Sequence, residues 1–166
     1  MPTTVTRTVA PSGGDHTTLN AALSWFTTNY PDFTASDIIG AIVISGDWTS
    51  AADTTPANAT GITTDATRYL DIYTTGGARH SGVWSNSAYR LEVTASYGIR
   101  FGTNTNGIHV TGLQIYINTA SPAASMQGIY ANATGALSQE ISNCLIRGNT
   151  GWNTASYIQN GVQVYH

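Results

Sequence analysis

The sequence predicts an all-β solenoid of about five coils, preceded by a capping helix. Two short motifs alternate along the chain. The first is a triplet with apolar ends, at residues 42–44, 70–72, 91–93, 113–115 and 144–146. The second is a glycine followed by Ile or Val, at Gly61, Gly82, Gly98, Gly128 and Gly161. Because repeats of about 20 to 50 residues are typical of solenoids, this alternation indicates one strand of each kind in every coil.

Two segments of the chain match each other residue by residue. Residues 108–115 align with residues 139–146 at a constant offset of 31. In both segments the alternation of apolar residues slips by one position, at Gly112 and at Asn143. Gly and Asn tolerate left-handed backbone angles better than other residues do. The match therefore predicts that the two segments stack and bend at the same corner.

Residues 17–29 predict an amphipathic helix that is capped by Thr17 and stopped by Pro31. Its apolar positions follow the i, i+3, i+4, i+7 spacing: Leu19, Ala22, Leu23 and Phe26. Such a helix can cover the exposed end row of a solenoid. We therefore predict an N-terminal arm and capping helix over residues 1–36 and a strand-rich body over residues 37–166.

The composition excludes several classes of function. Of the 166 residues only 9% are charged, Lys is absent, and the net charge is −3. Without basic runs the chain offers no surface for nucleic acid, and no apolar stretch is long enough to cross a membrane. The N-terminus has no signal-peptide pattern, so export by another route or release by assembly and lysis is expected. The four histidines show no ligand spacing, and we expect neither a metal nor a cofactor.

The segment over residues 13–23 precedes the predicted helix and carries a distinctive order of residue types. It resembles the Gly-Asp-aromatic-Thr-Thr-hydrophobic opening of many members of the right-handed parallel β-helix superfamily, with His16 at the aromatic position. That superfamily includes pectinolytic enzymes and phage tailspikes. The resemblance implies a right-handed parallel β-helix for nearly the whole chain. It does not imply esterase activity, because the aspartate-bearing strand motifs and the trailing arginine motif of the pectin methylesterases do not occur here.

Two carboxylates are the candidate catalytic residues. If the triplets stack in register, Asp71 and Glu92 face outward on adjacent strands about 4.8 Å apart. A pair that close could hold a cation or perform acid–base chemistry on a sugar. Arg68 and Arg90 occupy equivalent places just before them and could neutralise their charge. The alternative is a solvated ladder of charge pairs, each worth a few tenths of a kcal/mol.

The outward positions of the glycine motifs are the candidate binding residues. They include Trp84, Arg100, Tyr130 and Gln163. A stack of Trp, Arg and Tyr on a flat face suits a sugar ring or a partner protein, with cation–π support. Subunit contact is favoured over glycan binding, because exposed aromatic residues on a surface with few charges are typical of protein interfaces.

The last predicted strand, near Gly161, has no cap after it in this sequence. We expect such an end to be covered by further chain, by a second protein, or by copies stacked end to end. The leading hypothesis is therefore a non-enzymatic component of a virion or extracellular appendage, of the phage tail, fibre or capsid-decoration type. It would associate with itself and with other proteins of that assembly, through side faces or open ends. The alternative is a polysaccharide-binding or polysaccharide-cleaving protein, a lyase or glycoside hydrolase, that uses Asp71, Glu92, Arg68 and Arg90.

Overall fold

A computed structural model describes residues 1–119, 125–135, 138–148 and 158–165. In these ranges it contains 12 strands in three parallel sheets and two α-helices, which is a mixed α/β architecture. The prediction of an all-β right-handed parallel β-helix with about five coils and a capping helix is therefore wrong. The helices contribute Leu19, Leu23, Phe26 and Phe33 to the same core as the strands, so the chain is not all-β.

The strands are numbered in chain order. They are β1 (Thr3–Val9), β2 (Ile38–Ile44), β3 (Ala57–Ala59), β4 (Leu70–Thr74), β5 (Arg90–Val93), β6 (Tyr97–Phe101), β7 (Gly107–Thr111), β8 (Gln114–Ile117), β9 (Ser125–Asn132), β10 (Ser138–Ser142), β11 (Leu145–Gly148) and β12 (Ile158–Tyr165). Sheet 1 has the order β1-β2-β4-β7-β10, sheet 2 the order β11-β8-β5, and sheet 3 the order β12-β9-β6-β3. From β4 onward consecutive strands lie in different sheets, so each sheet joins segments that are distant in sequence.

Two helices follow β1. Helix α1 spans Leu19–Asn29, and the Oγ1 atom of Thr18 caps it by accepting a hydrogen bond from the Ala21 N–H at 3.2 Å. The predicted helix is confirmed, although it is Thr18 and not Thr17 that forms the cap. The short helix α2 spans Phe33–Ser36 and had no signal in the apolar spacing. Strand β1, which is mostly Thr, was also not predicted, and it pairs with β2.

The helices and the sheets share one hydrophobic core. The apolar residues of α1 are all buried in it: Leu19, Ala22, Leu23 and Phe26. Phe33 of α2 is also buried and lies so close to β2 that a side chain at Gly40 would meet its ring at 2.5 Å. Glycine at this position therefore lets helix and sheet approach closely. No helix in the described part of the chain is both long and apolar enough to span a bilayer.

The stacked corner predicted from the offset of 31 residues is confirmed. Val110 is in register with Ile141 across β7 and β10, and Ile115 is in register with Ile146 across β8 and β11. Between these strands both corner residues have left-handed backbone angles, with φ of 80° at Gly112 and 50° at Asn143. The corner explains why Gly and Asn recur at this place.

We expect Gly112→Ala to lower the free energy of unfolding by about 2 kcal/mol. The positive φ is strained for alanine, and the added Cβ would lie 2.6 Å from the Thr74 Oγ1 atom. Urea denaturation of the purified variant measures the loss. Asn143→Gly is the matched control, because glycine adopts the same backbone angle without strain, and it should change stability little. An alanine variant as stable as the wild type would contradict this account of the corner.

Candidate functional site

One row of side chains crosses the outer face of sheet 3. Asn58, Arg100, Tyr130 and Gln163 are in register on β3, β6, β9 and β12. The Arg100 guanidinium lies 5.7 Å from the centroid of the Tyr130 ring, within the range of a cation–π contact. The predicted alignment of Arg100, Tyr130 and Gln163 is thus confirmed, while their binding role stays a prediction.

The glycine motif explains how this row is held. Ile99 and Ile129 are fully buried in the core, and the residues that follow them therefore point outward. A Cβ at Gly98 would lie 2.6 Å from both the Gly128 carbonyl oxygen and the Ile115 side chain. Glycine here allows sheet 3 to pack tightly against sheet 2. The outward row consequently lies on a rigid base.

A cavity of about 290 Å³ opens beside the row. It is lined by Ser96, Tyr97, Arg100, Gln127 and Tyr130. The Gln127 Nε2 atom donates a hydrogen bond to the Gln163 Oε1 atom at 2.9 Å, which fixes both amides. All nine acidic residues of the chain lie in the described ranges, and none is on the four strands of sheet 3. The cavity therefore combines one guanidinium, two phenol rings and uncharged polar groups, with no carboxylate on the strands beneath it.

Trp84 does not belong to this row, and the prediction that placed it there is wrong. It lies in the loop before β5, with its ring centroid 6.2 Å from that of Tyr116 and 3.6 Å from the Arg147 guanidinium. These partners are on the outer face of sheet 2. The side chain of Gln114 fastens the loop by accepting from the Ser85 N–H at 2.6 Å and donating to the Ser85 carbonyl at 2.9 Å. Trp84 therefore fixes a loop to its sheet.

The predicted pairing of Asp71 with Glu92 is also wrong. Asp71 is in sheet 1, where its neighbour in register on β7 is His109. Glu92 is in sheet 2, where its neighbour on β8 is Tyr116. The triplets that contain the two acids have the same alternation of apolar and polar residues. Because any strand with one buried face shows that alternation, the pattern does not reveal which sheet a strand joins.

The structure instead places Asp71, His109 and Glu140 in one row on the outer face of sheet 1. The Tyr69 ring lies over the His109 imidazole, with centroids 4.1 Å apart. Partial burial raises the pKa of Asp71, the charge of His109 lowers it, and Glu140 raises it further. The alignment at an offset of 31 already set His109 beside Glu140, so the sequence contained the signal for half of this row.

Neither predicted arginine neutralises Asp71. The Arg68 Nε atom is 2.8 Å from an Asp37 oxygen, and its Nη1 atom is 3.3 Å from an Asp65 oxygen. Arg90 does pair with Glu92, with Nε 2.9 Å from Oε1, and it also donates to the Trp48 and Asn86 carbonyls. The candidate catalytic residues therefore do not converge on one site: Asp71 is in sheet 1, Arg90 and Glu92 are in sheet 2, and Arg68 lies in the loop before β4.

Sequence reasoning missed Asp53, which is 2% exposed. Its Oδ2 atom accepts hydrogen bonds from the Leu19 N–H at 2.7 Å and the Tyr89 hydroxyl at 3.1 Å, and its Oδ1 atom accepts from the Thr55 N–H at 3.1 Å. Burial raises the pKa of this carboxyl group. An acid in a loop gives no periodic signal, although here it joins the start of α1 to the sheets.

Within the described part of the chain, no three His, Cys, Asp or Glu side chains converge to hold a metal ion. No family model, curated protein or solved structure matches this chain. Its function is therefore inferred from its own residues.

Proposed function

We propose that this protein is a structural component of a virion or extracellular appendage, and that it associates with copies of itself and with other proteins of the assembly through the outer faces of its sheets. The observation that carries the proposal is Arg100. This exposed guanidinium is held on a rigid sheet, yet it makes no hydrogen bond or ion pair with any described residue. An exposed charge that forms no hydrogen bond or ion pair within its own described chain is well placed for a group on another molecule.

The separation of the candidate catalytic residues favours this proposal over an enzymatic one. Glycoside hydrolysis uses two carboxylates that flank one bond at a defined distance. Asp71 and Glu92 lie in different sheets, and Arg90 holds Glu92 by a hydrogen-bonded ion pair. Arg90 joins β5 to the loops at Trp48 and Asn86, and Arg68 joins Asp37 to Asp65. This pattern is the one expected when side chains maintain a scaffold.

We expect the purified protein to associate in a concentration-dependent manner. Association follows from an exposed charge and aromatic rings on faces that carry few other charges. Light scattering coupled to size exclusion, over a wide range of protein concentrations at low salt, measures the mass. A strict monomer that also degrades a polysaccharide would overturn the proposal.

The alternative of polysaccharide binding is favoured by the cavity beside Arg100. Tyr97 and Tyr130 offer ring faces for a sugar, while Gln127 and Ser96 offer hydrogen-bonding groups. Titration of the monomer with soluble oligosaccharides, followed by calorimetry, distinguishes this function. Saturable binding without any self-association would favour it over the structural role.

A further inference from the structure

Two outer faces of the molecule carry opposite charge. We define the basic face as the row of Asn58, Arg100, Tyr130 and Gln163 on sheet 3, and the acidic face as the row of Asp71, His109 and Glu140 on sheet 1. The basic face contains one guanidinium and no carboxylate. The acidic face contains two carboxylates. The charge on each face therefore complements the charge on the other.

Within the described part of the chain, the guanidinium of the basic face and the carboxylates of the acidic face form no hydrogen bonds or ion pairs. Neither the Asp71 nor the Glu140 carboxylate makes a hydrogen bond or an ion pair there. Arg7 on β1 and Arg68 just before β4 both have contacts away from the acidic face. Arg7 lies 3.5 Å above the Trp25 ring, and Arg68 pairs with acids outside the acidic face. The carboxylates are thus available to a cation from another molecule.

We propose that the basic face of one copy binds the acidic face of the next copy, with Arg100 against the carboxylates of Glu140 and Asp71. This inference rests on the proposed function and names the surfaces through which copies associate. Both rows run across parallel strands and so have the same step of about 4.8 Å between neighbours. Two copies can therefore align their rows, so that Arg100 and Tyr130 lie opposite Glu140 and His109 at the same time.

This contact joins two different surfaces and is therefore heterologous. Each copy retains one unoccupied face of each kind after binding, so further copies can add. The product is an open filament, or a ring where the rotation between copies closes. Because the charges are at the surface, the association should weaken steeply as salt is raised.

Charge reversal tests the inference. We expect Arg100→Glu and Glu140→Arg each to weaken self-association at least tenfold, since each places like charges opposite one another. The two single variants, when mixed, should associate with each other, because each then presents a complementary face. The double variant should associate as the wild type does. Sedimentation velocity at low salt measures the masses, and circular dichroism checks that every variant is folded.

Matched controls reverse charges outside the two faces. Arg79→Glu is matched to Arg100→Glu, and Asp47→Arg is matched to Glu140→Arg. Both controls change exposed residues outside the two faces, so they should leave association intact. The milder pair Arg100→Gln and Glu140→Gln replaces any reversal that fails to fold, and each of these should also weaken association. The inference would be overturned if the single variants associated like the wild type, or if their mixture stayed dissociated. The proposed function would then still hold, with copies associating through other surfaces. A wild-type protein that stays monomeric at every concentration would overturn both.

Discussion

Replacement of Asp53 by alanine should lower the free energy of unfolding by about 3–5 kcal/mol. The carboxylate accepts hydrogen bonds from Leu19, Thr55 and Tyr89 in a site that is almost closed to solvent. Without it the Leu19 N–H and the Tyr89 hydroxyl remain buried and unsatisfied, each at a cost of about 1–3 kcal/mol, and the partly exposed Thr55 N–H loses its partner. Relief from burying a charge offsets part of this loss. Urea denaturation followed by circular dichroism gives the value.

Asp53→Asn is the matched control, and it should lower the free energy of unfolding about half as much as Asp53→Ala does. Its amide oxygen can still accept from the Leu19 N–H and the Tyr89 hydroxyl, while its NH₂ group would face the Thr55 N–H. If the alanine and asparagine variants were equally stable, the hydrogen bonds of Asp53 would not be what joins helix α1 to the sheets.

The same residue gives a pH dependence of known sign. Burial raises the folded-state pKa of Asp53 above its ordinary value of 3.8, so the native protein binds this proton more tightly than the unfolded chain does. The contribution of Asp53 to stability is therefore present below pH 3.8 and falls as the pH rises through the folded-state pKa. The difference in stability between the wild type and Asp53→Asn should change across that window. A pH-independent difference would contradict the burial of an ionisable group.

The sequence predicted local structure well because the relevant forces are local. The spacing of Leu19, Leu23 and Phe26 predicted helix α1, and the left-handed preference of Gly112 and Asn143 predicted the corner. The sheet to which a strand belongs depends instead on long connections between strands. That is why the pairing of Asp71 with Glu92 failed, although the outward direction of each residue was correct.

The candidate site shows the same contrast between features set by local sequence and features set by long-range strand pairing. Arg100, Tyr130 and Gln163 could be aligned because each of them follows a Gly-Ile or Gly-Val pair in a strand. Trp84 follows the same dipeptide, but Gly82 has a φ of 94° and lies in a loop, so its neighbours leave the strand pattern. The charge complementarity between sheets 1 and 3 requires knowledge of the register on both faces. A single sequence contains that information only where two segments align residue by residue.

The second large loss of stability is expected on replacement of Gln114. This side chain is fully buried, and its amide bonds both the N–H and the carbonyl of Ser85 as well as the carbonyl of Tyr89. We expect Gln114→Ala to lower the free energy of unfolding by about 2–4 kcal/mol, because it leaves a cavity and buried polar groups without partners. It should also release the loop that holds Trp84 against Tyr116. A red shift of tryptophan fluorescence before global unfolding measures that release.

Gln114→Glu separates hydrogen bonding from simple filling of space. The carboxyl group has nearly the same shape as the amide, and it still accepts from the Ser85 N–H, but when ionised it faces the Ser85 and Tyr89 carbonyls with no hydrogen to donate. Burial and the two carbonyls raise the pKa of such a group, so the native state binds its proton more tightly than the unfolded chain. The variant should therefore be most stable in acid and lose stability as the pH rises, to a greater extent than the wild type. A variant with the wild-type pH profile would show that the loop is fastened by packing around Trp84 and not by the amide of Gln114.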